Sequence, residues 1–406
     1  MKIRNLLNKS REYTFFTVAT MLSAGVHFIF SIYAKRSIEP LEYGIYSTCV
    51  ILQTYMTYFQ LGSMNAFNRD YPQLIGAKDY NKAKAYRETT LTLLLIMFGL
   101  AVIITFFITF VWKLTTPDVD IRYSLGYFLC AIIAALSVIE SFGNSRTRID
   151  GNFIYNAIVL IVQLFSVPIG ILLIQYFGYY ALYFTTIISL LIGIAMFYKR
   201  GYSDVKLQID RKLLKELILT GMPLLINGLV WTVVNTIDKF VILGFLETEA
   251  LGVYGIAQNA FSFIVLIPNA LSNIFYVRMG REYGATGEVQ QLNKVANNFT
   301  SILAVFTSFI AIGAFFLIPP FVRLVVPKYV DGIASAQILV VALAIYAPTL
   351  INGNILTILK KNAVILRLSV YLCIFNILFS ILFILFISKD ISSVAYGTAV
   401  AYILYS

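Results

Sequence analysis

Charge is what this sequence has least of. Of its 406 residues, 13% are Asp, Glu, Lys or Arg, against about 25% in a soluble globular domain. Apolar residues make up 59%, against about 45–50%. Together these departures exclude an ordinary water-soluble domain and point to an integral membrane protein. Cysteine is scarce too. Cys49, Cys130 and Cys373 lie far apart in apolar runs, which excludes a disulfide framework and a thiolate metal site. The single histidine, His27, leaves no His/Cys cluster for a metal. There is no Walker loop, so direct ATP coupling is not expected, and no GxSxG nucleophile elbow. No cofactor is expected, and nothing reads as an enzyme.

What is present is a series of apolar runs about 20 residues long. That length suits helices crossing a ~30 Å hydrocarbon core and not barrel strands of ~9–11 residues. Twelve candidate spans follow, at roughly 14–34, 44–65, 89–112, 123–143, 154–175, 179–198, 218–246, 252–276, 297–318, 333–356, 368–388 and 392–406. The last has only 15 residues, short for a bilayer. The basic, amphipathic start has no small-residue cleavage site after it, so it reads as a retained first helix. With the N-terminus inside, 23 of the 31 Lys and Arg fall in cytoplasmic segments and 7 outside, while Lys239 lies within a span. That bias supports cytoplasmic N- and C-termini. It also explains the net charge of +11 as an orientation signal, so no nucleic-acid partner is expected.

The longest loops expected are cytoplasmic, at about 66–88, 199–217 and 277–296. Residues 199–217 also read as a linker, ending in an interfacial helix with Leu213, Leu214, Leu217 and Ile218 on one face. The two sides of the linker resemble each other. Gly44 and Tyr46 match Gly252 and Tyr254 at an offset of 208, Arg69 matches Arg278 at 209, and Gly76-Ala77 matches Gly284-Ala285 at 208. The expected organisation is a six-helix bundle over 1–198, the linker, and a second six-helix bundle over 218–406. Six spans per half gives both halves the same orientation, with a pseudo-two-fold axis along the membrane normal.

Polar residues inside the spans are the candidates for function. A charge in hydrocarbon costs about 2.5–3.5 kcal/mol and usually marks a cavity or pathway. Asp238 and Lys239 sit well inside span seven. At helical periodicity Asn227, Trp231, Asn235 and Asp238 fall within about 80° of one another. Span one carries Thr20, Ser23, His27, Ser31 and Lys35 within roughly 120°. Gln53, Thr57 and Gln60 share a face of span two, and Gln258, Ser262, Asn269, Asn273 and Tyr276 a face of span eight. Such faces either hydrogen-bond neighbouring helices or line a hydrated cavity. His27 reads as a packed neutral histidine or as a proton-sensitive group. Glu140, near the inner end of span four, reads as a partner for Arg146 or Arg148, or as a gating group. Arg69 and Arg278 close spans two and eight at the cytoplasmic side. They are positive-inside residues or a ring for an anion, since the guanidinium fork suits phosphate. Asp118 and Asp120 read as a solvated acidic pair.

Several motifs resemble a known family. They are Tyr43-Gly44-Ile45-Tyr46 after span one, Leu61-Gly62 with Phe67 and Arg69-Asp70-Tyr71-Pro72 after span two, and Gly221-Met222-Pro223 with Asp238 and Leu251-Gly252-Val253-Tyr254 around span seven. With the two-bundle layout, these are similar to the polysaccharide flippases of the multidrug/oligosaccharidyl-lipid/polysaccharide (MOP) export superfamily, in particular the O-antigen (Wzx-type) flippases. The resemblance implies movement of an undecaprenyl-pyrophosphate-linked oligosaccharide from the inner to the outer leaflet of the bacterial cytoplasmic membrane by alternating access. It implies membrane lipid, a coupling ion (proton or sodium) and other polysaccharide-assembly proteins as partners. On that expectation Lys35, Arg69, Lys239 and Arg278 are candidates for the pyrophosphate. His27, Gln53, Gln60, Asn227, Asn235, Gln258, Asn269 and Asn273 are candidates for the polar cavity. Asp238, Glu140 and His27 are candidates for gating or ion coupling. A multidrug or cation antiporter of the same superfamily is the alternative. A polysaccharide polymerase or other membrane enzyme fits less well, because the outside loops are short.

Overall fold

Apolar side chains on all faces, with few glycines and prolines inside the runs, leave helix as the only way to satisfy the backbone in lipid. The computed structural model describes residues 2–116 and 120–406. Among these it is all helix and turn, without strands. The helices are α1 (Lys2–Ser37), α2 (Pro40–Met56), α3 (Ser63–Gly76), α4 (Tyr80–Thr115), α5 (Ile121–Ile149), α6 (Phe153–Gln163), α7 (Ser166–Phe177), α8 (Tyr180–Phe197), α9 (Arg211–Phe245), α10 (Thr248–Thr286), α11 (Val289–Val325), α12 (Ile333–Tyr346), α13 (Thr349–Ile358), α14 (Asn362–Phe386) and α15 (Ile391–Tyr405). Ten stretches among the described residues are long and apolar enough to cross a membrane. The expected second span is α2, broken by a 3₁₀ turn over Thr57–Gln60. The expected twelfth is α15, with 15 residues. Large apolar side chains such as Phe107, Phe309, Phe316 and Leu324 are exposed, as lipid-facing groups must be. The chain is a polytopic helical membrane protein.

Two expected loops are helical. Residues 66–88 belong mostly to α3 and α4, and 277–296 to α10 and α11. Hydropathy marks where a helix crosses hydrocarbon, not where it stops. Helices α4, α10 and α11 have 36, 39 and 37 residues, some 54–59 Å at ~1.5 Å per residue, well beyond a ~30 Å core. Their charged ends project past it. Asp79 caps α4 by accepting from Lys82 N, and Asp390 caps α15 by accepting from Ser393 N at 2.9 Å. Asp120 is not merely solvated: it accepts from Arg122 N at 2.9 Å and pairs with the Arg122 guanidinium at 2.6 Å. Asp118 lies outside the described residues.

The chain divides into two units, one of Met1–Ile38 and Cys49–Leu229, the other of Glu39–Thr48 and Val230–Ser406. In the first, a core forms where the helices project. Met64, Phe67 and Tyr71 of α3 meet Tyr86, Leu91 and Leu94 of α4, Phe142 of α5, and Leu213 and Leu217 of α9. The Leu213/Leu217 face is therefore not interfacial but buried against α3 and α4. At the joint before α3, Leu61 and Gly62 take left-handed backbone (φ 51° and 79°). Gly62 abuts Gly221 so closely that a Cβ on Gly221 would sit 2.0 Å from the Gly62 carbonyl oxygen.

The linker is fastened to the first unit. Arg146 donates to Asp204 at 2.6 and 2.9 Å and to the Gly201 carbonyl at 2.7 Å, while Arg87 pairs with Asp204 at 2.9 Å. Lys206 N donates to Glu88 Oε1 and Asp210 N to Thr89 Oγ1. Burial pushes the Asp204 carboxyl up, but the Arg146 hydrogen bonds and the charges of Arg146 and Arg87 outweigh it, so its pKa lies below the ordinary carboxylate range.

In the second unit the repeat-matched glycines meet. A Cβ on Gly44 would lie 2.1 Å from the Thr248 carbonyl oxygen, and one on Gly252 1.9 Å from that of Pro40. The first turns of α2 and α10 thus cross backbone on backbone, as small residues permit in membranes. Lys328 pairs with Glu39 at 2.6 Å beside this crossing.

Two expectations follow. Gly252→Ala will lower the melting temperature in detergent, reflecting overpacking of about 1–3 kcal/mol. Gly25→Ala, with nothing within 4 Å, will not. Asp204→Ala will speed tryptic cleavage between Lys199 and Lys212 at least severalfold, read by mass spectrometry of timed digests.

Candidate functional site

Asp238 lies in α9, in the part belonging to the second unit. A carboxylate there needs donors on every lone pair it can fill. Three helices supply them. Tyr254 of α10 donates its hydroxyl to Oδ2 at 2.7 Å, Asn376 of α14 its amide to Oδ1 at 3.1 Å, and Thr398 of α15 its hydroxyl to Oδ1 at 2.9 Å. The Asn376 amide is oriented by Ser380, whose hydroxyl donates to Asn376 Oδ1 at 3.0 Å. That leaves the Asn376 amine for Asp238. All three partners can donate to an ionised acid, and the two hydroxyls can also accept from a protonated one.

Asp238 also faces a cavity of about 280 Å³. Its polar wall is Asn235, Asp238, Lys239, Gln258, Ser262 and Thr398, and its apolar wall includes Phe261, Leu339 and Tyr402. The structure thus gathers four of the expected residues, Asn235, Asp238, Lys239 and Gln258, at one place. Asp238 and Lys239 both reach it, although neighbours on a helix point about 100° apart. Asn269 and Asn273 are exposed further along α10 and do not line this cavity. Nor does Asn227, in the first-unit part of α9, whose Oδ1 is buried without a protein partner.

The remaining candidates stand in the first unit or at the far end of α10. His27 is exposed, with Nδ1 2.8 Å from the Ser23 carbonyl oxygen. Gln53 is half-buried. Gln60 keeps a buried Oε1 without a protein partner. Lys35, expected near an outer mouth, is fully buried and donates to Ser31 Oγ at 3.3 Å. Glu140 does not pair with Arg146, which is engaged by Asp204. Arg148 donates to Ser145 Oγ. Glu140 is hydrogen-bonded by Gln163 instead and abuts Gly193, where a Cβ would lie 3.0 Å from its Cγ. Arg69 donates to Asp70 at 2.6 and 3.3 Å. Arg278 lies 5.4 Å from the centre of the Phe299 ring.

Sequence reasoning missed Tyr254, Asn376, Ser380 and Thr398 as partners of Asp238. A usable signal existed for two of them: Asn376 and Ser380 are i, i+4 polar residues in an otherwise apolar span.

A family model described as "Polysaccharide biosynthesis protein" matches residues 10–277, about two thirds of the chain. The chain belongs to this family. A second model, MatE, matches residues 223–399 of this family member. Among solved structures, it is similar to an inward-facing multidrug resistance MATE family transporter of the MOP superfamily, with TM-score 0.76, 15% identity, and 97% and 95% of the two chains covered. It is also similar to the lipid II flippase MurJ in an inward closed conformation, with TM-score 0.75, 16% identity, and 96% and 86% covered. An outward-facing MATE transporter gives TM-score 0.68 at 14% identity, with 98% and 93% covered. No curated protein matches by sequence. At these identities the likeness is one of fold, shared with transporters and a flippase rather than enzymes.

The Asp238 partners generate a prediction about stability. Thr398→Val and Asn376→Leu each remove a donor from the carboxylate and will lower the melting temperature, at about 1.5–3 kcal/mol per charged hydrogen bond. Asn235→Ala, which donates only to the Trp231 carbonyl of its own helix, will leave it nearly unchanged.

Proposed function

We propose that this chain moves an undecaprenyl-pyrophosphate-linked oligosaccharide, an O-antigen or similar surface-polysaccharide unit, from the cytoplasmic to the periplasmic leaflet of the inner membrane. The observation that carries this reading is the family match over residues 10–277. The physical chemistry of the task supports it. A sugar headgroup cannot cross hydrocarbon unaided and needs mixed donors and acceptors. Asn235, Gln258, Ser262 and Lys239 supply them on one cavity wall. The pyrophosphate needs cations, and Lys239 on the cavity wall and the exposed Arg278 are the candidates for it. The polyprenyl tail remains in lipid. The bias of 23 to 7 in Lys and Arg supports cytoplasmic termini.

Asp238 is the coupling group in this reading. It is an acid inside a spanning helix, reached from a cavity and held by side chains of α10, α14 and α15. Gaining or losing a proton or a sodium ion there changes how four helices are tied together, and that is the kind of bistable element a coupled transporter needs. Glu140 and His27 are secondary candidates.

The MatE model over 223–399 favours a second reading, a multidrug or cation antiporter. A deletion strain separates the two. The flippase reading expects loss of surface polysaccharide and accumulation of the lipid-linked unit on the inner leaflet, restored by the wild-type gene. Asp238→Asn will insert at wild-type levels yet restore less than about a tenth of export, the loss ordinarily seen when a charged contact worth ~1.5–3 kcal/mol is removed. Normal surface polysaccharide with heightened drug sensitivity is the antiporter's result and contradicts the flippase.

A further inference from the structure

The repeat-matched arginines Arg69 and Arg278 are partnered differently. In the first unit, four basic residues at the projecting end form ion pairs: Lys82 with Glu216 at 2.9 Å, Arg87 and Arg146 with Asp204, and Arg69 with Asp70, while neighbours such as Lys78, Lys84 and Lys215 form none among the described residues. In the second unit the corresponding residues lie where α10 and α13 end and α11 and α14 begin. Among the described residues, Arg278, Arg281, Lys294, Lys360, Lys361 and Arg367 form no ion pair there.

The repeat-matched arginines show the difference at the level of single atoms. Arg69 is followed by Asp70, which takes its Nε at 2.6 Å and its Nη2 at 3.3 Å. Tyr86 holds the same carboxylate by donating to Oδ2 at 3.0 Å. The hydrogen bond to Asp70 pushes the Arg69 pKa above its ordinary value, so the charge stays but its edge is occupied. Arg278 is followed by Met279, which is buried in the core of α10, α11 and α13. Where the first unit has a carboxylate, the second has a thioether. The Arg278 side chain is exposed and its guanidinium lies over the Phe299 ring. That ring is itself stacked on Phe275, 4.1 Å between centres and 3° between planes. A ring covers only the face of a guanidinium. The in-plane donors at its edge stay open, and those are the ones that meet a phosphate in a fork.

We infer that Arg278, and not its repeat partner Arg69, is the guanidinium that receives the phosphates of a polyprenyl diphosphate headgroup. The inference rests on the flippase reading and assigns the anion contact to one unit. Asp70 answers the charge of Arg69 from within the chain, whereas Arg278 lies over the Phe299 ring and forms no ion pair among the described residues. The headgroup of an anionic phospholipid offers the same phosphate chemistry, so the test includes it.

Purified protein in phosphatidylcholine nanodiscs is titrated with farnesyl diphosphate, for the wild type, Arg278→Ala, Arg278→Lys and Arg69→Ala. The expected result is a loss of about 10–100-fold for Arg278→Ala, the range of a charge-assisted hydrogen-bonded pair. Arg278→Lys, which keeps the charge without the fork, should fall between, and Arg69→Ala should change affinity less than about twofold. Equal losses in Arg69→Ala and Arg278→Ala, or wild-type affinity in Arg278→Ala, overturn the assignment and leave the flippase reading standing. Failure of the wild type to bind farnesyl diphosphate overturns the flippase reading itself. Displacement of the probe by phosphatidylglycerol at equal phosphate concentration makes this a general lipid contact and also overturns the assignment.

Discussion

A carboxylate placed inside a membrane-spanning helix must be answered from the helices around it. Asp238 costs about 2.5–3.5 kcal/mol in hydrocarbon, and three hydrogen bonds to a charged group, each worth about 1.5–3 kcal/mol, are enough to offset that. The donors come from α10, α14 and α15, so meeting the cost of one charge fixes the relative placement of four helices. The same residues then form the polar wall of a cavity. Packing and proposed chemistry therefore share their atoms. In the proposed mechanism, exchange of a proton or sodium ion at Asp238 would act on the helices that hold it.

The internal repeat supplies the frame but not this chemistry. At the offset of 208, Asp238 corresponds to Phe30, Asn376 to Pro168 and Thr398 to Leu190, while Tyr254 keeps its counterpart in Tyr46. The first unit instead spends its polar residues on fastening the linker, through Arg87, Arg146 and Asp204. The glycines retained in both halves, Gly44 and Gly252, are retained where helix backbones touch. The repeat is kept at the Gly44 and Gly252 backbone contacts and departs at Asp238 and its partners.

Much of this was legible in the residues. Apolar run length revealed the spanning helices because the bilayer sets that length. Helical periodicity placed Asn235 with Asp238 on one face of α9 and Gln258 with Ser262 on one face of α10, since only the 100° step per residue is needed. The answering donors were not legible. Single residues such as Thr398 in an apolar span look like any interhelical hydrogen-bonding group until the tertiary fold brings them to the acid. The loops expected at 66–88 and 277–296 went wrong because charge ends a hydrocarbon crossing without ending a helix. Lys35 is buried rather than set at a mouth, and Glu140 meets Gln163 rather than an arginine. Both outcomes depend on which neighbour reaches the group first, and spacing along the chain does not carry that.

Ion exchange at Asp238 is proposed to drive headgroup movement. It is tested most directly by the flipping rate of a fluorescent lipid-linked oligosaccharide in proteoliposomes, read by a membrane-impermeant quencher, with and without imposed proton and sodium gradients. One gradient should accelerate the wild type and have no effect on Asp238→Asn. Equal acceleration of the wild type and Asp238→Asn would contradict it.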